Sequence, residues 1–312
     1  MNIPAAGNTL LECACGQLPR ILGFGDFDPT SRTYGCTDRT FWHYRTVDFV
    51  NARFQETALV LALAYTIGHE GNRFYRHPAL KEWSLAAIRF WAGLRHRDGS
   101  LDESYPNEHH FCATALSCFA VTEALLRLEA GPECDMTSTG RFLLANDNPD
   151  VSNQTAGAAA ALYNLYRLTG DVTYLEGCEK KLALLLARQS QRGFFVEYDG
   201  FDAGYCTITL SFLAALYAET GRDDIRRAAL RCVHFLSDSI AADGYVSPEG
   251  MSRMTQFVYP YGLSVFAPEL FFRVIAGLEA ETLLNPAWMD DRYCVAMTAD
   301  YLLAAGNLMR VS

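Results

Sequence analysis

From residue 50 onward the apolar positions fall in long runs rich in Ala and Leu. The runs are "ARFQETALVLALAYTIG", "ALKEWSLAAIRFWAGLR", "FCATALSCFAVTEALLRL", "TAGAAAALYNLYRLTG", "VTYLEGCEKKLALLLARQ", "TITLSFLAALYAETG", "DIRRAALRCVHFLSDSI", "PELFFRVIAGLEA" and "RYCVAMTADYLLAAG". They are too long for typical strands, and no segment alternates over strand length. Glycines and charged residues close many of them, as helix C-termini prefer. With a further short helix near "TSTGRFLLAN", about ten helices are predicted.

The runs repeat. Thr57 to Tyr65, Thr155 to Tyr163 and Thr209 to Tyr217 are each eight residues apart within similar helical segments. The loops that precede helices match as well. Counting from the glycines of "RDGSL", "QRGFF" and "ADGYV" (Gly99, Gly193, Gly244), the residue thirteen on is Cys112, Cys206 or Phe257, an apolar position where the next helix begins. Glu103 and Glu197 share the position four after their glycine; Glu108, Asp202 and Arg253 share the position nine after. The unit recurs about every 40 to 57 residues, the size of a helical hairpin that cannot bury its own apolar face. About five such hairpins stacked side by side predict a barrel or horseshoe. Small-residue helices such as "TAGAAAAL" then lie inside, and every Asp-Gly loop gathers at one end. Residues 50–312 are expected to form this all-α domain, and residues 1–49 an irregular segment partly covering its cavity.

Hairpin repeats with "DGS" turns resemble the α/α-toroid enzymes, and the resemblance covers most of residues 50 to 306 by architecture. That superfamily includes alginate-lyase and heparinase type polysaccharide lyases, unsaturated glucuronyl hydrolases, sugar 2-epimerases, and terpene cyclases with their prenyltransferase relatives. The stretches "GCTDRTFWHYRTVDFVNARFQE", "YPNEHHFCATA" and "SRMTQFVYPYG" are also similar to bacterial toroid proteins described as heparinase-like.

Composition narrows the partners. A formal charge of -10 and a pI near 5.2 argue against nucleic acid, which needs a basic face. The N-terminus lacks the basic and apolar regions of a signal peptide, and no apolar run reaches the roughly 18 residues of a membrane span. The ten cysteines are scattered, several within apolar helical patterns where a thiol acts as a small hydrophobe. Reduced cysteines in a cytoplasmic protein are the expectation.

The segment "SLDESYPNEHHF" concentrates proton-transfer groups more tightly than any other. Two readings stand for it. In the structural one, Asn107 caps the following helix, Glu108 complements its dipole, and His109 and His110 pack or face water. In the functional one, the loop is one wall of a cavity shared with other polar loops at the same end. "VEYDGFDAGY" supplies Glu197, Asp202 and Tyr205; "PEGMSRMTQFVYPYG" supplies Arg253, Gln256, Tyr259 and Tyr261; the segment around "TDRTFWHYR" supplies Asp38, Trp42 and His43, with Arg53 beyond. Sugars are bound by such sets, aromatic faces stacking on rings while Asp, Asn and Arg hydrogen-bond the hydroxyls.

In toroid polysaccharide lyases, an Asn and a His neutralise a uronate carboxyl while a Tyr or His takes the C5 proton and protonates the leaving oxygen. On that resemblance Asn107 and His109 correspond loosely to an N-N-H type motif, with His110 equally available. His109 or His110 and Tyr259 or Tyr261 are then base and acid. Asn107, Arg53 and Arg253 bind carboxylate, Glu103, Glu108 and Asp202 orient the catalytic groups, and Asp102, Tyr105, Tyr205, Gln256, Asp38, Trp42 and His43 contact sugar. The expected function is an enzyme acting on an acidic sugar or polysaccharide by lyase- or epimerase-type proton abstraction.

Three alternatives stay open. A glycosidase needs paired carboxylates, Asp102 or Glu103 across from Asp202 or Glu197. A terpene cyclase of class II needs a D-x-D-D acid motif, which is absent; "MDDRY" and "GRDD" match it poorly. A binding toroid needs the aromatics but no acid–base pair. No HExxH, P-loop or dinucleotide fingerprint appears, so neither metal nor cofactor is expected, and the partner is a small-molecule or oligosaccharide substrate.

Overall fold

The computed structural model describes residues 3–311. The helices in chain order are α1 (Ile3–Leu22), α2 (Arg39–Trp42), α3 (Thr57–Thr66), α4 (Pro78–Gly93), α5 (Phe111–Arg127), α6 (Thr137–Ala145) and α7 (Ser152–Thr169). They continue as α8 (Val172–Ala187), α9 (Ala203–Thr220), α10 (Asp223–Leu236), α11 (Pro260–Phe266), α12 (Pro268–Glu279) and α13 (Asp291–Val311). Among the described residues only isolated β-bridges occur, and no helix is long and apolar enough to cross a membrane.

Six of these helices form a closed inner ring, α3 on α5, α5 on α7, α7 on α9, α9 on α11, α11 on α13, and α13 back on α3. The others lie outside: α4 on α3, α8 on α7, α10 on α9, α12 on α11, and α1 on α13, with α6 wedged between α5 and α7. Inner helices touch neighbours on both flanks and the bore on a third, so they must be apolar or small all round. Thr57 through Ala64 of α3 are all buried, and so is the run Ala156–Leu162 of α7. Outer helices bury one stripe, as in α10, where Ile225, Ala228, Ala229, Cys232 and Leu236 face inward and the arginines face water.

The ring has one more hairpin than the repeat predicts, because the sixth is split between the chain's two ends. The N-terminal stretch expected to be irregular is instead a 20-residue helix, with Leu10, Leu11, Ala14, Leu18 and Ile21 buried. It packs on the outside of α13 rather than over the bore. Arg20 and Arg39 both grip Asp291 at the start of α13, at 2.8 and 2.5 Å.

The repeat glycines explain the hairpin turns. Gly99, Gly193 and Gly244 have φ of +88, +102 and +80°. Each lies with its Cα against the backbone of an outer helix: Ser138–Thr139 of α6, Arg231 of α10, and Arg273 and Gly277 of α12. Gly35, at φ +90°, does the same against Ala86 of α4, so the turn also recurs where the repeat was not visible. A side chain there would meet both a backbone conformation disfavoured for L-residues and a helix wall. These turns lead into the inner helices, so their loops all lie at one end of the bore.

Candidate functional site

Residues 101–110 form a closed loop at that end. The His110 amide donates to the Leu101 carbonyl at 2.7 Å. Inside it, Asp102 accepts from the amides of Asn107, Glu108 and His109 and lies 2.8 Å from His96 Nε2. Glu108 accepts from the amides of Glu103, Ser104 and Tyr105. Asp102 is therefore spent on holding the loop, whereas Glu108 holds it through Oε2 and keeps Oε1 3.9 Å from His110 Nδ1. The helix cap differs from expectation: α5 begins at Phe111 with His110 at the N-cap position, while Asn107 has φ +61° and lies outside the helix. A residue in left-handed backbone four positions before a helix cannot cap it.

The loop separates the two histidines. His109, at φ +53°, stacks on His96 with ring centroids 4.1 Å apart and places Nδ1 2.9 Å from Asp98 and 2.7 Å from Ser100. It belongs to the outer side of the loop. His110 turns inward, with Nδ1 3.0 Å from Glu103 Oε2. Glu103 in turn lies 3.8 Å from Arg53 Nη1 and 3.3 Å from Arg292 Nη1. Arg53 is buried, clasped through Nε and Nη2 by Glu56, and has Nη1 3.7 Å from Cys112 Sγ.

This cluster sets its own protonation. Burial pushes the Glu103 carboxyl up, but His110, Arg53 and Arg292 outweigh it and bring the group down to about 2. Glu103 in return raises His110 against partial burial. Burial holds the Tyr259 phenol well above the usual tyrosine range, opposed by Arg53. Arg53 thus bears on both the imidazole and the phenol.

Stability should follow these shifts. The folded-state value of Glu103 lies below its ordinary 4.5, so its contribution is present above pH 4.5 and lost as pH falls through about 2. His110 has the opposite sign: its contribution is complete below its ordinary 6.5 and fades as pH rises through its raised folded value. Denaturant melts of wild type and Glu103→Gln should differ by up to about 3 kcal/mol near pH 5.5 and converge toward pH 2. An unchanged difference across that range would show that Glu103 is not charged against its neighbours. Arg53→Met should be costlier, about 3–5 kcal/mol, because it strands the buried Glu56 without its countercharge and takes one of the cations from Glu103; a loss below 1 kcal/mol in the same melts would contradict the buried pair.

Aromatic side chains continue the wall. Arg253 lies over the Tyr198 ring at 4.4 Å, Tyr198 meets Tyr205 at 5.8 Å, and Phe257 contacts Tyr205, Tyr259 and Tyr293. Arg292 covers Tyr293 at 4.1 Å, bringing the chain of contacts back to Glu103. Beneath lies a cavity of about 70 Å³ within the ring. Its lining is mainly apolar, including Leu59, Leu116, Phe119, Ile208, Phe212 and Leu303, with Arg53, Glu56, Tyr259, Ser211 and Asp300 as polar exceptions. Asp300 is buried; its carboxyl, lifted to about 7 by burial, accepts from the Tyr261 amide at 2.8 Å.

Of the residues singled out from sequence, His110, Glu103, Arg53, Tyr259, Tyr205 and Arg253 come together in this wall. Tyr261 does not: it lines a separate cavity farther along the bore. Asp202 is fully buried as the N-cap of α9, accepting from Tyr205 N and from Thr255, so it orients no catalytic group. Asp38 caps α2 and accepts from Asn51 N. Trp42 donates to the Phe24 carbonyl, His43 lies tilted between the rings of Trp42 and Tyr44, and Gln256 donates to the Val246 carbonyl. Tyr105 projects into solvent. Glu197, a carboxylate considered for a glycosidase, is buried against Asn153 and Thr209, and burial lifts it to about 8. Sequence reasoning missed Arg292, Tyr293 and Asp300.

No family model matches this chain, and no characterised sequence matches it significantly. Solved structures do. A substrate-bound variant of the type II terpene cyclase MstE from Scytonema aligns with TM-score 0.57 and 11% identity over 97% of this chain and 99% of the other. A polysaccharide lyase aligns with TM-score 0.54 and 11% identity over 96% and 97%. This chain is an α/α toroid. A Paenibacillus xanthan lyase also aligns, with TM-score 0.55 and 16% identity over 99% of this toroid but 31% of its own length. At such identities the likeness concerns the fold.

Proposed function

We propose that this toroid is a carbohydrate-active enzyme that abstracts a proton from an acidic sugar, by lyase- or epimerase-type chemistry, with His110 as base and Tyr259 as acid. The observation that carries the reading is His110 paired to Glu103, which Arg53 and Arg292 bracket, with Arg53 also acting on the Tyr259 phenol. Glu103 fixes the imidazole and makes it a better base, leaving Nε2 for the C5 hydrogen. Tyr259 keeps its proton at every working pH and can hand it to the leaving oxygen. Arg292 and the exposed Arg253 are the cations nearest the solvent side, suited to a uronate carboxylate. In a lyase step the C5–H bond breaks to His110, the C4=C5 double bond forms, and the C4–O bond leaves with the proton of Tyr259. An epimerase step returns a proton to C5 with C4–O intact.

The test is to incubate the protein with uronate oligosaccharides in deuterated water. Deuterium should appear at C5, or ultraviolet absorbance of the new double bond should rise. Neither signal across glucuronate, galacturonate, mannuronate and guluronate oligomers would end the proposal.

One observation favours a second reading. Asp300 holds a protonatable carboxyl in the wall of an apolar, aromatic-lined cavity, the setting that alkene protonation in a cyclase requires. Conversion of a prenyl substrate that Asp300→Asn abolishes and His110→Gln spares would choose it.

A further inference from the structure

The bore holds a second polar chamber at the end opposite the loops. Arg127 is the last residue of α5, so this chamber lies roughly 25 Å along that helix from His110. Its interior measures about 90 Å³, and six of its nine lining residues carry polar side chains. Leu303 lines both this chamber and the apolar cavity above, and separates the two. A polar room below an apolar one is costly to build into a ring of packed helices unless its groups are satisfied.

Those groups are organised. Glu123 is buried and spends both oxygens, one on Arg127 Nε at 2.7 Å and the other on Asn164 Nδ2 at 3.1 Å. It fixes two side chains rather than serving as a contact itself. Among the described residues, the Arg127 Nη groups and the Asn164 side-chain carbonyl have no further partner, and Arg127 also lines the adjoining cavity with Thr66 and Gly306. Asn307 uses Nδ2 on Ser264 at 3.3 Å and keeps its carbonyl. Charges cancel: Arg127 with Glu123, and Arg167 with Glu219 at 3.1 Å. The chamber thus presents fixed donors and acceptors side by side with no net charge among described residues. Among the described residues a carboxylate or phosphate would find no uncompensated cation. A hydroxyl, which both donates and accepts, matches each neighbouring pair.

We propose that this chamber is a binding site for a neutral polyhydroxylated molecule of monosaccharide size, held by Arg127, Asn164 and Asn307. The site does not rest on the chemistry assigned to His110.

Calorimetric titration of the full chain with methyl glucoside, methyl mannoside, methyl galactoside and myo-inositol, with glucuronate as the charged control, tests it. At least one neutral probe should bind. Asn307→Leu and Arg127→Met should each weaken it by about tenfold or more, while His110→Gln leaves it unchanged. Should Arg127→Met fail to fold, Asn307→Leu alone decides, since Asn307 is half-buried and makes a single long bond to a described residue. The proposal fails if no neutral probe binds, if glucuronate binds more tightly than all of them, if folded Asn307→Leu binds as wild type does, or if His110→Gln removes the binding.

Discussion

His110→Gln should lower turnover of an acidic oligosaccharide by about 10²–10⁴-fold with little change in KM. Glutamine keeps a polar side chain of similar reach beside Glu103 but cannot accept the C5 proton. His109→Gln is the matched control, one residue away in sequence and on the other side of the loop against His96 and Asp98; its turnover should stay within about threefold of wild type. The pH profile gives a second readout. Activity should rise with pH through the raised value of His110 as the imidazole sheds its proton, and show no falling limb from Tyr259, whose phenol stays protonated far above neutrality. Glu103→Gln should move the rising limb to lower pH, because the contact that raises His110 is gone. If His109→Gln proves the more damaging change, or the limb stays where it was in Glu103→Gln, the assignment of base and partner is wrong.

Gly99→Ala should be the most damaging single methyl in the molecule. At φ +88° the added Cβ costs about 1–2 kcal/mol in backbone conformation. It also runs into the carbonyl of Ser138 and the amide of Thr139, a helix wall that cannot yield as a side-chain tip would. Overpacking of that kind costs about 1–3 kcal/mol more, for a total of about 2–5 kcal/mol and a fall in Tm of about 5–15 °C. Gly170→Ala separates the two causes. Gly170 has φ +74° but nothing within 4 Å of its hypothetical Cβ, so only the conformational part remains. Equal losses at the two positions would mean that contact with α6 contributes nothing.

The glycine spacing carried the fold because each repeat glycine meets the same physical demand, a left-handed turn against a neighbouring helix. The first and last helices were harder to place. Residues 3–22 contain Gly7, Gly16 and Pro19, poor helix formers, and the helix stands because its apolar stripe lies on α13. Contacts between chain positions nearly 300 residues apart leave no local pattern. Ring closure likewise hid Arg292 and Asp300, which read as ordinary residues of a terminal helix until it brings them to Glu103 and Tyr259. In the polar loop, the residue types were legible but their directions were not. His109 and His110 adjoin, but the left-handed backbone at His109 turns their side chains to different sides of the loop, and Tyr259 and Tyr261, two positions apart at the start of α11, face different rooms. Asp102 and Glu108 were chosen for their charge, whereas the loop uses them to gather six backbone amides.

Because α13 lies between α11 and α3, a nascent chain emerging from the ribosome has five walls of the bore and an open seam until that helix has been made. Arg292, Tyr293 and Asp300 arrive with it. The candidate site is therefore completed by the same event that closes the ring, and an unfinished chain has a groove in place of a pocket.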